Sequence, residues 1–400
     1  LKVLFVTPHI FAGGAEKAVL NLVYQLNSMG CDASIAALSL DISKLPSHLS
    51  KLNFILPEKP FEQSVMKDVG TVLASALREV TSLVELLRKS SKSFNLVCPC
   101  NFPTYWATYL ARTKKPIVWL SSEVLAPYNQ TKDVYDRSPL FRIVFIIAKF
   151  IDKLIVNSSV DPIVTCSELN SLLIKERYGR DSIVLHTGVD YDFFNAEAHK
   201  GSALSGMNKT GGPMLLHVGA LMQRKNQILS VRALKTLKSH LSSAKLVLVG
   251  EGPWKPILQA EARKLGVEKD VTFSGSVSEE KLRGLYYACA VNLFPVKDQT
   301  WGLVPFEALA AGKPSIVAKG CGAAEYIARE KIGIVIEPTV QNLADAVMFV
   351  LKNPDMTEDM VKRGQLFVRE NLGWDKYASG VYSVFQKVLS SKSRSKTDQF

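Results

Sequence analysis

A chain of 400 residues, 47% hydrophobic and 22% charged, has the make-up of a soluble globular protein and the length for two domains, each with its own core. No apolar run reaches the roughly 18–20 residues that a membrane-spanning helix needs, and no secretory leader precedes the first strand, so the expected location is cytoplasmic. The surplus of +12, with a pI near 9.3, suits anionic ligands, phospholipid surfaces or nucleic acid. Nucleic acid is the weakest of these, because no interleaved basic and aromatic motif accompanies the charge.

The chain starts in a strand, LKVLFVTP. AGGAEKAVLNLVYQLNSMG then reads as a loop and an amphipathic helix, with Ala18, Leu22 and Leu26 on one side. Gly13 and Gly14 let backbone amides approach an anionic ligand, or simply make a tight turn; the spacing is not GxGxxG. His9, at the end of the strand, is a candidate for the same place. ASIAALSL and NFILP are expected strands, and residues 61–89 a helix ending in the basic RKSSKS. FNLVCPC and KPIVWLSS are further strands, the second followed by Ser122 and Glu123. The six cysteines are scattered, only Cys98 and Cys100 being close, which fits buried or free thiols of a reducing compartment.

Residues 139–156, PLFRIVFIIAKFIDKLIV, are the most apolar segment, broken by Arg142, Lys149, Asp152 and Lys153. A buried helix is the expectation. The alternative is a helix lying in a membrane interface, its basic side chains reaching lipid phosphates. DPIVTCSELNSLLIKERYG supplies a strand and a helix, and SIVLHTGVDYDFF closes the first half.

NAEAHKGSALSGMNKTGGP, rich in small and polar residues, reads as a linker. Beyond it MLLHVG, KLVLVG, VTFSG, AVNLFPV, PSIVA and IGIVIEP are strands, with a helical segment after each of the first five: the pattern of a parallel, doubly wound sheet. Arg224 and Lys225 follow the first of these strands, where such a sheet binds ligand; a solvated charge pair is the other reading. Ser278, with Glu279 and Glu280, supplies an N-cap and an acidic first turn. In WGLVPFEALAA the residues Leu303, Phe306 and Ala310 share a helical face, and Glu307 lies four residues after Leu303. That puts a carboxylate on the buried face, where it is costly unless something binds it. It is either a structural carboxylate held by a neighbouring group or a ligand contact. The turn at residues 299–302 opens this helix at the edge of a strand, where free amides and the dipole favour phosphate. Two closing helices lie around VKRGQLFVREN and YASGVYSVFQKVL, and SKSRSKTDQF is a basic tail expected to be disordered.

The stretch from Ala290 to Ile327 resembles the donor-binding signature of GT-B-fold, nucleotide-sugar-dependent retaining glycosyltransferases of the family 4 type (glycosyl transferases group 1). That signature has two glutamates separated by seven residues, an aromatic-Gly-Leu between them and a Gly-rich segment beyond. Glu307 matches the second glutamate, Trp301, Gly302 and Leu303 the middle, and residues 320–325, ending in Glu325, the Gly-rich segment. The resemblance implies an α/β chain of two Rossmann-like doubly wound domains facing across a cleft. Residues 1–188 would form the acceptor side, 189–212 a crossover and linker, and 213–373 the donor domain. Residues 374–390 would return as a helix to the first domain, and 391–400 would be the tail. It further implies transfer of a hexosyl unit from a nucleotide-sugar to a glycan or lipid-linked acceptor, with no cofactor and no metal. A site on the cytoplasmic face of a membrane is an option, and no nucleic-acid partner is expected.

Carried over residue by residue, Lys225 with Arg224 meets the charge of the leaving diphosphate. The amides of Gly302, Leu303 and Val304 and the loop of Gly13 and Gly14 add neutral donors. Glu307 accepts the ribose hydroxyls, Gln299 faces the donor hexose, and Glu325 belongs to the donor side. There are three departures: Gln299 stands where the family has its first glutamate, Ala220 where it has an arginine, and Ser122, before Glu123, where it has a histidine. Asp190, Tyr191 and Asp192 spell the Asp-x-Asp of metal-dependent GT-A enzymes, but in the crossover, where the family has a plain turn. A catalytically silent GT-B protein and a nucleotide-sugar epimerase of similar fold are the alternatives.

Overall fold

A computed structural model of the chain describes residues 1–11, 14–61, 69–124, 139–195 and 212–397. The chain divides into two compact units, Leu1–Gly188 with Trp374–Phe400, and Val189–Gly373.

The first unit runs β1 (Lys2–Val6), β2 (His9–Ile10), α1 (Gly14–Ser28), β3 (Asp32–Ala36), β4 (Ser39–Leu40), β5 (Asn53–Ile55), α2 (Val69–Ser90), β6 (Leu96–Pro99) and α3 (Thr104–Ala111). It continues with β7 (Trp119–Ser121), α4 (Pro139–Ser159), β8 (Ile163–Thr165), α5 (Glu168–Tyr178) and β9 (Ile183–Val184). The main sheet is parallel in the order β5-β3-β1-β6. Parallel bridges from Val97 to Ile117 and from Cys100 to Leu120 carry it towards β7-β8-β9. Strands covered on both faces must be apolar throughout, which is why Val3, Leu4, Phe5 and Val6 are all fully buried. Residues 62–68, the start of the expected helix at 61–89, lie outside the described residues; α2 is its described part.

Helix α4 departs from the buried helix expected of residues 139–156. One side is buried, and its centre is the acid: Asp152 is 1% exposed and accepts four hydrogen bonds. Tyr105 Oη (2.6 Å) and Trp106 Nε1 (2.8 Å) donate to Oδ1, and Tyr178 Oη (2.7 Å) and Arg177 Nη2 (3.2 Å) to Oδ2. A buried carboxyl group with that many donors, one of them cationic, ties α4 to α3 and α5. Ile143, Ile146, Ile147, Phe150, Ile151 and Leu154 face solvent instead. The physical reason is that the charged network fixes the helix rotation, which leaves the opposite stripe exposed among the described residues.

The second unit runs α6 (Tyr191–Asn195), β10 (Met214–Val218), α7 (Gln227–Leu237), β11 (Lys245–Val249), α8 (Lys255–Lys264), β12 (Val271–Gly275), α9 (Glu279–Ala288), β13 (Val291–Phe294) and α10 (Val304–Ala310). Then come β14 (Ser315–Ala318), α11 (Gly322–Arg329), β15 (Ile334–Ile336), α12 (Val340–Lys352) and α13 (Pro354–Asn371). All six strands are parallel, in the order β12-β11-β10-β13-β14-β15. This is the doubly wound order, and its topological switch point lies between β10 and β13. Ser278 caps α9 by accepting from the Lys281 amide at 3.3 Å, as its spacing predicts. Asp190 caps α6, accepting from the Phe193 amide at 3.0 Å.

Two further corrections concern the C-terminal part. α12, between the last strand and the closing helices, was not among the expected helices. The final helix α14 (Trp374–Thr397) continues through most of the expected disordered tail, since SKSRSKT contains no Pro or Gly to stop it and each added residue adds a hydrogen bond. α14 belongs to the first unit, where Trp374, Tyr377, Ala378, Val381 and Phe385 join one core with α1.

Candidate active site

Polar groups converge at the switch point of the second unit. After β10 the chain passes Gly219 and Ala220 into a 3-10 turn at Gln223–Lys225, which closes with the Lys225 amide on Met222 O at 3.0 Å. Its path is fixed from behind. The Gly219 amide donates to Val249 O and the Leu221 amide to Glu251 O, both at 2.9 Å. The contact is close enough that a Cβ on Gly250, which has φ +128, would lie 2.3 Å from Gly219 O. Gln227, 1% exposed, donates from Nε2 to Ala220 O at 2.9 Å. Asn226, in the left-handed region, reaches across the switch point to Pro295 O at 3.0 Å, tying this loop to the one after β13.

Across this tie Lys225 Nζ donates to Gln299 Oε1. The Gln299 backbone carbonyl accepts from the Gly322 amide at 2.8 Å, so the Gly-rich segment at the start of α11 is bonded to the same turn. Arg224 is half-buried in the 3-10 turn beside Lys225. Below them His217 is wholly buried, with Nδ1 2.9 Å from Ser230 Oγ. Burial first, and the Lys225 charge second, push its imidazole down to about 3, so it is neutral at physiological pH.

The turn into α10 is set by aromatic packing. Trp301 stacks on Phe306 at 5.0 Å between centroids and meets Tyr326 edge-on at 5.4 Å. Gly302 is required there, because a Cβ would sit 2.9 Å from the Phe294 ring. At the helix start Pro305 has no amide hydrogen, and the Phe306 and Glu307 amides both donate to Leu303 O at 2.9 Å. The amides of Gly302, Leu303 and Val304 take no part in those bonds. Glu307 is 7% exposed, and Oε2 accepts from Tyr286 Oη at 2.9 Å. Burial, reinforced by the Glu307 charge, holds the Tyr286 hydroxyl well above its usual range, so it remains a donor.

In the first unit Ser122 is bonded to Asn101, whose Oδ1 accepts from the Ser122 amide at 2.8 Å and from its hydroxyl at 2.7 Å. Ser122, Asn101, Thr187 and Cys166 line a small pocket together with Ala15 and Ala18 of α1. His9 lies 2.8 Å by Nδ1 from Ser39 Oγ and 3.6 Å by Nε2 from Glu79 Oε1, packed between Phe11 and Phe61. The second distance is too long for a hydrogen bond.

Residues 205–367 match the family described as "Glycosyl transferases group 1". Those residues are similar to a group 1 glycosyltransferase domain. Alpha-1,3/1,6-mannosyltransferase ALG2 of Mus musculus is 24% identical over 410 residues, covering 97% of this chain and 96% of that protein. A GDP-mannose-dependent alpha-(1-6)-phosphatidylinositol monomannoside mannosyltransferase of Mycobacterium tuberculosis is 31% identical over 204 residues. That match spans 49% of this chain and only about half, 53%, of that relative. Among solved structures, Anabaena HepE in complex with UDP-glucose superposes with a TM-score of 0.77 at 17% identity, over 96% of this chain and 99% of that one. The fold is GT-B.

Within the matched residues the structure brings Lys225, Gln299 and the Gly-rich segment together, and places Glu307 one turn into α10. Glu325 is exposed on α11, one turn before Arg329. In the first unit Gly14 begins α1 and Glu123 is half-buried beside Ser122, while Gly13 lies outside the described residues. Sequence reasoning did not single out Tyr286, Asn226, Gln227, His217 or Asn101. Asn226 and Gln227 adjoin Lys225, and their polar character at the start of a helix was an available signal. Tyr286 gave none, since it meets Glu307 from another helix.

Proposed function

We propose that the chain is a retaining glycosyltransferase that moves a hexosyl unit from a nucleotide-sugar to a glycan or lipid-linked acceptor, using no metal, on the cytoplasmic side of a membrane. The observation that carries this reading is the Lys225–Gln299 contact across the switch point of a group 1 domain. Lys225, helped by Arg224, meets the negative charge that grows on the diphosphate as its bond to the anomeric carbon lengthens. The amides at the start of α10 add neutral donors, and Glu307, held by Tyr286, accepts ribose hydroxyls. Gln299 holds the Lys225 ammonium with an uncharged oxygen, so the cation keeps its full charge for the diphosphate, while the amide nitrogen is still able to donate to a sugar hydroxyl. The acceptor hydroxyl bonds to the anomeric carbon on the face the diphosphate leaves, as the bond to the diphosphate breaks and the hydroxyl proton passes to the departing phosphate oxygen, so configuration is retained.

A silent, sugar-binding GT-B protein is the second reading, favoured by Gln299, Ala220 and Ser122 standing where the family has charged or histidine residues. Initial-rate sugar transfer, wild type against Gln299→Glu, separates the two. In an active site built around an amide, the new carboxylate neutralises Lys225 and lowers turnover by about tenfold or more. An inactive wild type whose activity appears in Gln299→Glu overturns the enzyme reading.

A further inference from the structure

Helix α4 carries an apolar stripe on its solvent side. Ile143, Ile146, Ile147, Phe150, Ile151 and Leu154 are between 41% and 66% exposed. At 3.6 residues per turn they fall within a sector roughly 140° wide, and Asp152 lies diametrically opposite. The same geometry puts Arg142, Lys149 and Lys153 together along one edge of the stripe, at spacings of seven and four residues. The helix carries one acid, and that acid is buried and bonded to Arg177. Its charges towards solvent are therefore all cationic. Leu110 on α3 and Leu172 on α5, the helices packed against α4, are exposed as well. The stripe has no route to burial by rotation of the helix, since that would tear Asp152 from its four donors.

We infer that the outward face of α4 is a docking surface for an anionic phospholipid bilayer, with the six apolar side chains inserted at the interface and Arg142, Lys149 and Lys153 against lipid phosphates. Charge decides the occupant. A second copy of this chain would bring +12 against +12 and basic edge against basic edge, whereas an anionic leaflet complements both the stripe and its border. Among the described residues no helix is long and apolar enough to cross a membrane, so the contact lies along the surface. The inference deepens the reading of the acceptor as lipid-linked and rests on it for its purpose; binding itself is measured without turnover.

The test is co-sedimentation of the full chain with vesicles of phosphatidylcholine alone or mixed with phosphatidylglycerol, at low and high salt. Binding is expected on the mixed vesicles, falling roughly tenfold or more in high salt or without the anionic lipid. Ile147→Glu with Phe150→Glu abolishes it, and Lys149→Gln with Lys153→Gln removes most of its salt dependence. Ile147, Phe150 and Lys153 are exposed and Lys149 is half-buried over the Phe145 ring, and unchanged binding of a nucleoside diphosphate shows that the variants are folded. Absent sedimentation at low salt, or equal sedimentation of the double glutamate variant, overturns the inference. So does self-association of the wild type that the same variant abolishes. Vesicle binding without sugar transfer would instead count against the enzyme reading alone, so the two failures are distinguishable.

Discussion

His217 shows how a residue outside the reaction supports one inside it. Its ring is sealed in the core behind Lys225 and bonded to Ser230, so protonating it would place a buried cation, cut off from solvent, beside the lysine. The consequence is a pH dependence of known sign. The folded-state value is about 3 and the unfolded value about 6.5, so between those limits the unfolded chain binds a proton that the folded chain refuses. The stability this residue contributes is therefore complete above about pH 6.5 and declines as pH falls, by about 1.4 kcal/mol per unit at most. His217→Gln cannot titrate and retains a partner for Ser230. Urea unfolding of the two proteins at pH 6.5 and pH 5 is expected to show a steeper loss for the wild type. Parallel losses would mean that His217 is protonated in the folded state.

At the scale of elements, the sequence pattern located the strands of the second unit because strands buried on both faces must be apolar runs, and MLLHV, KLVLV and SIVA can be little else. It also placed Glu307 on a buried face. Periodicity says which side of a helix turns inward; it does not say what stands opposite. Tyr286 against Glu307, Asn226 against Pro295 and Asp152 among Tyr105, Trp106, Arg177 and Tyr178 are pairings between distant parts of the chain and left no local trace. α4 is the instructive failure. Its hydrophobicity suggested burial, yet one acid with four partners outweighed the apolar stripe in choosing the inward face. The turn into α10 depends on a contact of the same hidden kind, Gly302 against the Phe294 ring. Gly302→Ala puts a methyl group 2.9 Å from that ring, and overpacking of this order costs about 1–3 kcal/mol. Denaturant unfolding should show that loss, and nucleoside diphosphate titration a weaker site, because Trp301 and the amides beside it must shift. Unchanged values in both would mean that the turn has slack and does not set the site.

At the scale of the whole molecule, the chemistry proposed for the donor is unevenly divided between the two units. Lys225, Arg224, Gln299, the start of α10 and Glu307 all belong to Val189–Gly373. The other unit holds His9, Gly14, Ser122 and Glu123, where Ser122 is bonded to Asn101 and His9 to Ser39 within that unit. A nucleoside diphosphate should therefore act first on the second unit. Hydrogen exchange of the full chain, with and without the ligand, reads this directly. At a concentration of about 100 times Kd the ligand stabilises the closed site by about 2.7 kcal/mol, which slows exchange through local opening by about a hundredfold. The amides expected to respond most are those of residues 219–227 and 299–307, where the two loops of the switch point meet. Glu307→Ala removes charge-assisted bonds to ribose and should weaken affinity by about 10–100-fold, so that at the same ligand concentration most of this protection disappears. Its effect on exchange in the absence of ligand separates loss of binding from loss of structure: the Tyr286 bond is the contact a purely structural glutamate would lose. Protection confined to the first unit, or identical protection in Glu307→Ala, would move the nucleotide away from the switch point and return Glu307 to a structural role.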